Sequence, residues 1–486
     1  MQAYKLTSHS HEAGYFTFFK SQKQTFRPME ETSKASITSL VNKQKAFFAT
    51  GQSRAIGFRK EKLKALRSAI LRYEEKITDA CRQDLHKSYA EAFLTEISIV
   101  LQEIDHHLHH VSKWSKPRRV KTPKHLLPSS SRVHYEPLGT SLIIAPWNYP
   151  FQLLINPLVG AISAGCCTIL KPSPYTPTVA AVMEEMVSET FDEQYIGMAQ
   201  GGRSVNTELL AHRFDIIFFT GSPSVGKVVM EAATQNLTPV VLELGGKSPC
   251  IVDQDASLDS AAKRIAWGKT INAGQTCIAP DYLFVHHAVK EALLHKISRH
   301  WQKMYGDDPR QSDYYPRIVN RKAMERLEKL MQDGRIIHGG EIDPEDRYIA
   351  PTIIDAISGD SPIMQEEIFG PLLPVMEFDQ KEQVLDFINS REKPLALYYF
   401  GKSGKAKEIL RKSSSGGACI NDTILHVANH HLPFGGVGNS GMGRYHGKAS
   451  FQAFSNERAV FRTPTWIDLP LRYPPFKGFS KVKKFL

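Results

Sequence analysis

Cys277 sits in the stretch INAGQTCIAPDY, Ile271 to Tyr282, among small and amide side chains and just ahead of a strand-like run, YLFVHH. Small neighbours leave room for a substrate carbonyl, and the backbone N–H of Cys277 can face a developing oxyanion. A thiol placed so is either a nucleophile or an inert buried side chain. The nucleophilic reading asks three more things of the chain: a base, a second oxyanion donor and a reason for the chemistry.

The remaining candidates lie in short runs ending in Gly or Pro. Asn148, in APWNYP, offers a neutral amide donor that stabilises an oxyanion without competing as a base, or else it caps a turn. Glu243, in LELGGKSPC, stands at a strand end before two glycines. A carboxylate in a dry site there activates water, whereas one facing solvent forms an ordinary ion pair. FFTGSPSVGK contains Gly221-x-x-x-x-Gly226-Lys227, but Val228 stands where a nucleotide-hydrolysing P-loop needs a hydroxyl for magnesium. What survives is a strand, a small-residue turn and a helix N-terminus, which suits a pyrophosphate. Gly436-Val-Gly438-Asn-Ser-Gly441 has dinucleotide-fingerprint spacing without a preceding strand, and reads instead as a tight backbone loop. EEIFGP, Glu366 to Pro371, places carboxylates beside Phe369, which suit a ribose and a nicotinamide ring, or simply a core aromatic at a turn.

Strand candidates SLIIAP, CTILKP, DIIFFTG and PVVLELGG alternate with helical stretches such as FQLLINPLVGAISAG and TVAAVMEEMVSETF. Uninterrupted apolar strands joined by helices imply a parallel sheet with ligands at the strands' C-terminal ends. Upstream, apolar residues at 3/4 spacing predict amphipathic helices over 58–87 and from Leu94 to Val111. A second mixed region, 247–428, carries helices near 257–270 and 289–303 and strand candidates YLFVHH, APTIID and LALYYF. Residues 1–28 show no periodicity and read as a disordered extension, with Met29 a plausible native start.

The 486 residues suffice for two to three domains; 42% apolar and 23% charged residues are ordinary for a globular protein. No apolar run approaches the roughly 18–20 residues that span a bilayer, and the N-terminus lacks a secretory apolar core. Six scattered cysteines form no disulfide framework and point to a reducing, cytoplasmic setting. The net charge of +11 concentrates in KPRRVKTPK and in the tail KGFSKVKKFL, which read as solvated connectors. No nucleic-acid-binding signature accompanies them. The tail's mixture of Lys with Phe and Leu leaves weak contact with an anionic membrane surface open.

The order of the motifs is more specific than any one of them. APWNYP, KPSPYTP, FFTGSPSVGK, LELGGKSP, NAGQTC, EEIFGP and LPFGGVGNSGMGRYHG together resemble the aldehyde dehydrogenase superfamily over about residues 40–475. IAPDY, MQEEIFGP and GNSGMGRYHGKASF followed by RYPP are similar to its class 3 branch, which includes fatty-aldehyde members. The resemblance implies an α/β fold: a Rossmann-like parallel-sheet cofactor domain (29–115 and 136–245), an α/β catalytic domain (246–430) and an oligomerisation arm (116–135 and 431–486) in a homodimer. It implies Cys277 as nucleophile, Glu243 as general base, and Asn148 with the Cys277 N–H as oxyanion hole. Lys171 and Glu367 would hold the adenine-side and nicotinamide-side riboses, and Gly221, Ser222, Pro223, Ser224, Val225 and Gly226 the pyrophosphate. Trp147, Thr220 and Phe369 would line the cofactor channel, with no metal. The implied activity is NAD(P)-dependent oxidation of medium- or long-chain aliphatic or aromatic aldehydes to acids. A coenzyme A-acylating enzyme and a non-catalytic protein keeping the fold are the alternatives. One departure concerns the cofactor. The family often has Glu three residues after the lysine aligned with Lys171, and here that residue is Pro174. Without that carboxylate a 2′-phosphate is less repelled, so NAD use with NADP tolerated is expected.

Overall fold

Val-, Ile- and Phe-rich runs whose side chains are buried on both faces build the first of two parallel sheets. The computed structural model describes residues 31–468, 472–476 and 478–483; the expected extension 1–28 and the Met29 start lie outside them. The first sheet runs, in spatial order, Gly441–Met442, Val240–Leu244, Ile216–Gly221, Thr140–Ile144, Cys167–Lys171 and Ile196–Met198. The last five are mutually parallel, and Gly441–Met442 joins antiparallel. Alternate residues feed different cores. Ile143, Leu170, Phe218 and Val241 pack under the helices Ile56–Leu85, Ser98–Trp114 and Gln152–Ala164. Leu142, Ile169, Ile217, Phe219 and Leu242 pack on the other face with the helix Lys34–Ala49. This double burial is why the strands read as unbroken apolar runs.

Thr140–Ile144 lies between the next strand in sequence, Cys167–Lys171, and a later one, Ile216–Gly221. The chain order reverses there, leaving a crevice beyond the carboxyl ends of two strands, one leading to Asn148 and the other carrying Thr220.

The second sheet runs Arg335–His338, Thr352–Asp355, Leu372–Phe378, Tyr282–His286, Pro249–Val252, Ala396–Phe400 and Gly417–Ile420, parallel except at the first strand. Leu372–Phe378 escapes a reading of the sequence because Pro374 sits inside it. Pro374 stands opposite Ile354 of Thr352–Asp355 on one side, and on the other the pairing with Tyr282–His286 begins only at Val375 opposite Leu283, so the sheet loses no bond there to the missing N–H.

A third, antiparallel sheet joins Arg118–Val120, Ser130–Pro137 and Ser455–Arg462, the last two pairing along eight residues. KPRRVKTPK is therefore not simply a connector. Arg118 and Arg119 are solvated but belong to a strand that Pro117 and Pro123 bound rather than break. No described helix is long and apolar enough to cross a membrane.

Candidate active site

The loop bearing Cys277 turns sharply after the helix Leu258–Thr270, with Asn272, Ala273 and Gly274 at φ 50°, 51° and 74°. At Gly274 a Cβ would lie 2.2 Å from the Gly370 carbonyl, so only glycine lets this turn abut the EEIFGP segment. The left-handed Asn272 and Ala273 are unfavourable by themselves and are held by surrounding bonds. Asn272 N–H donates to Glu91 Oε1 (2.8 Å), and its amide donates to the carbonyls of Asn148 (2.8 Å) and Gln275 (3.1 Å). Gln275 donates to the Asn272 and Arg317 carbonyls and accepts from Val319 N–H.

Asn148 follows the strand Thr140–Ile144 and is buried. Its Nδ2 donates to the Gln275 carbonyl at 3.0 Å, which leaves the second N–H of that amide for a ligand. Its own carbonyl accepts from Lys87 Nζ at 2.8 Å. Lys87 is fully buried, 2.6 Å from Glu96, whose other oxygen accepts the N–H groups of Phe151 and Gln152 at the start of the next helix. Sequence reasoning missed this pair, because Lys and Glu on amphipathic helices read as solvent-facing. Lys87→Met should cost about 3–5 kcal/mol by stranding the Glu96 charge. It should also lower kcat/KM by loosening Asn148. Urea midpoints and initial rates check both, and an unchanged midpoint would contradict the role.

Glu243 stands near the end of its strand, 3% exposed, with neither carboxylate oxygen hydrogen-bonded. Burial raises its pKa well above the ordinary 4.5, opposed only by the charge of Arg444. A Cβ at Gly435 would lie 3.0 Å from Glu243 Oε1, so the glycine loop covers the carboxylate with backbone. Gly441, from the same loop, pairs opposite Glu243.

The Cys277 thiol is pushed upward by burial first, then by the charges of Glu367 and Glu243, while the N–H groups of Cys277 and Ile278 oppose the shift. The fold thus brings Cys277, Glu243 and Glu367 together from three motifs. Glu367 is itself raised to about 8 by burial and by Asp281. Its loop is tied down by Lys247, which pairs with Asp281 and donates to the Glu366 carbonyl, and by Arg326, which donates to the carbonyls of Glu367 and Ile368.

Ile216–Gly221 leads directly into the helix Pro223–Thr234, the strand, turn and helix start that the sequence predicts, and Ser222 caps that helix with Pro223 in its first turn. Gly226 has a different reason for being glycine: a Cβ there would meet Leu244 Cδ2 at 2.7 Å, so it lets helix and sheet pack closely. Ser224, Glu367 and Gly438 line a cleft of about 860 Å³. Trp147 meets Phe369 edge to face at 5.4 Å. Thr220 Oγ1 and Glu367 Oε1 are buried without partners, and a Cβ at Gly245 would strike Glu367. A capped helix end, orphaned polar atoms and glycine walls fit a dinucleotide. Lys171 is buried, donates to the Pro172 carbonyl at 2.7 Å, and is lowered to about 8 by burial. The charge of Glu31 also acts on it, but that carboxylate is held by Gly202 N–H and the Ser204 hydroxyl.

Two parallel sheets meeting at a thiol, two buried carboxylates and a dinucleotide-type turn define an α/β oxidoreductase. The chain belongs to the aldehyde dehydrogenase family: a sequence model described as "Aldehyde dehydrogenase family" matches residues 10–460. It is 48% identical to the 4,4′-diaponeurosporen-aldehyde dehydrogenase of Staphylococcus aureus, covering 91% of this chain and 97% of that one. It is 43% identical to the "dimeric NADP-preferring" aldehyde dehydrogenase of Canis lupus familiaris, over 91% and 98%. The solved substrate-bound S. aureus AldH superposes with a TM-score of 0.90 at 46% identity, over 92% and 99%.

Proposed function

We propose that the chain oxidises medium- to long-chain aliphatic or aromatic aldehydes to carboxylic acids, using NAD and tolerating NADP. The observation that carries this reading is the buried carboxylate of Glu243, which has no hydrogen-bond partner and is near enough for its charge to act on the Cys277 thiol. The Cys277 sulfur attacks the aldehyde carbonyl, and the free amide N–H of Asn148 with the Cys277 N–H receives the oxyanion. A bound dinucleotide would supply the hydride acceptor for the oxidation at that carbon. Cys277 is then left as a thioester, and Glu243 takes a proton from the water that hydrolyses it. Glu367 and Lys171 would hold ribose hydroxyls, residues Gly221 to Gly226 would flank the pyrophosphate, and Trp147, Thr220 and Phe369 would line the channel.

A long apolar substrate is supported by the name of the S. aureus relative, and a homodimer by that of the canine one. In the same reading the enzyme works in the cytoplasm. Aldehydes of increasing chain length, each assayed with both cofactors, test it. kcat/KM should climb as each added CH₂ is buried, by about fourfold at ~0.8 kcal/mol. NADP efficiency should stay within ~10³-fold of NAD. A profile that falls with length, or a wider cofactor gap, would contradict the reading.

A further inference from the structure

The helix Ser98–Trp114 carries the run HHLHHVSKW, and a second pair of histidines follows the turn Leu425–Ala428. The fold brings them together. The ring centroid of His106 lies 4.4 Å from that of His430 and 5.0 Å from that of His431, and the latter two are 4.6 Å apart. One ring nitrogen from each lies within 4.8 Å of the other two. Among the described residues no other group of three or more His, Cys, Asp or Glu donors is so close. None of the three belongs to the machinery described above.

Both sides of the cluster are fixed to the same segment. Glu103, one turn before His107, accepts from Gly447 N–H at 2.6 Å and contacts His107 at 3.1 Å. A Cβ at Gly447 would lie 2.1 Å from the His430 carbonyl oxygen and 3.3 Å from His106 Nε2. Beyond His431, Phe434 and Tyr445 exchange backbone hydrogen bonds of 2.9 and 2.8 Å. The helix and the loop are therefore held in register by bonds that do not involve the three rings.

We propose that His106, His430 and His431 form a binding site for a divalent transition-metal ion of the zinc class. Three imidazoles with no carboxylate among them suit zinc, copper or nickel rather than magnesium or calcium. Tetrahedral zinc with Zn–N of about 2.0–2.1 Å wants its donors about 3.4 Å apart, so the rings close by about an ångström on binding and a water takes the fourth position. His431, exposed on a loop, supplies that movement. The loop runs on to Gly435, whose backbone covers Glu243, so an ion here clamps the support of that carboxylate to the helix Ser98–Trp114.

The test uses the full-length chain with Cys277→Ser, which removes the active-site thiol as a competing ligand. After chelator treatment, calorimetric titration with Zn²⁺ should give one ion per chain. Co²⁺ should show the visible bands of a tetrahedral ion. His431→Ala should weaken Zn²⁺ binding at least ~10-fold, and His106→Ala with His431→Ala should abolish it. His431→Ala alone, on the native Cys277 background, should keep its metal-free NADH production. If the double variant fails to fold, the single exposed substitution decides. No stoichiometric binding, or an isotherm unchanged by His431→Ala, overturns the proposal.

Discussion

Cys277→Ala is expected to abolish aldehyde-dependent NADH production, by at least ~10⁴-fold in kcat/KM, while leaving folding and dinucleotide binding intact. The loss is large because no other group in the site can form the bond to the carbonyl carbon: Glu243 and Glu367 are buried carboxylates, and Asn148 is a neutral amide that donates hydrogen bonds and is no nucleophile. The stability effect is small, since only a sulfur atom is removed and the loop's left-handed turn is fixed by Glu91, Asn148 and Gln275 rather than by the thiol. The electrostatics add a second expectation. Burial, Glu367 and Glu243 all disfavour the thiolate, so the wild-type thiol should react slowly with iodoacetamide at neutral pH until a positive charge lies beside it. Activity retained in Cys277→Ala, measured as NADH release on adding aldehyde, would remove this residue as the nucleophile.

What the sequence makes legible follows from physics local to a few residues. The first sheet is readable because each strand is apolar on both faces, and Asn148, Glu243 and Cys277 because each sits in a short, unusual motif and the motifs occur in order. Three kinds of feature are not. Leu372–Phe378 is obscured by Pro374, whose missing donor matters only once the neighbouring register is known. Gly441–Met442 is two residues long and has no periodicity, yet it pairs along the strand that carries Glu243. Glu91 and Glu96 lie on helices, and Lys87 just beyond the end of one, where charges ordinarily face water, and their partners at Asn148 and Asn272 lie far off in the chain. The same holds for His106 with His430 and His431. Gly226 has a further cause that its motif does not show: a side chain there would meet Leu244.

Glu243→Gln should separate the two halves of the reaction. Gln matches the size of Glu, so the packing against Gly435 survives and only the basicity goes. The first half needs Cys277 and the oxyanion donors, and should proceed to a burst of about one NADH per chain. The second half needs a base for water, and steady-state turnover should then fall ~10²–10⁴-fold. Intact mass after mixing with aldehyde and cofactor should show the acyl adduct on the variant. The pH dependence carries a sign that tests the same residue. Because burial raises the Glu243 pKa, the ionised base is depleted as pH falls through that raised value, so wild-type deacylation should rise with pH across it. The variant should lack that limb. Linkage gives the opposite sign for stability: a carboxyl whose folded pKa exceeds its unfolded value stabilises the fold below the ordinary range and loses that contribution as pH rises through the folded value. The Gln variant should therefore lose less stability than wild type over that rise. Adding coenzyme A to the acylated variant distinguishes the remaining chemistry. A thioester that persists and yields only slowly to water makes Glu243 the hydrolytic base. Rapid release as acyl-coenzyme A, with turnover restored, would instead make this an acylating enzyme in which water is not the natural acceptor.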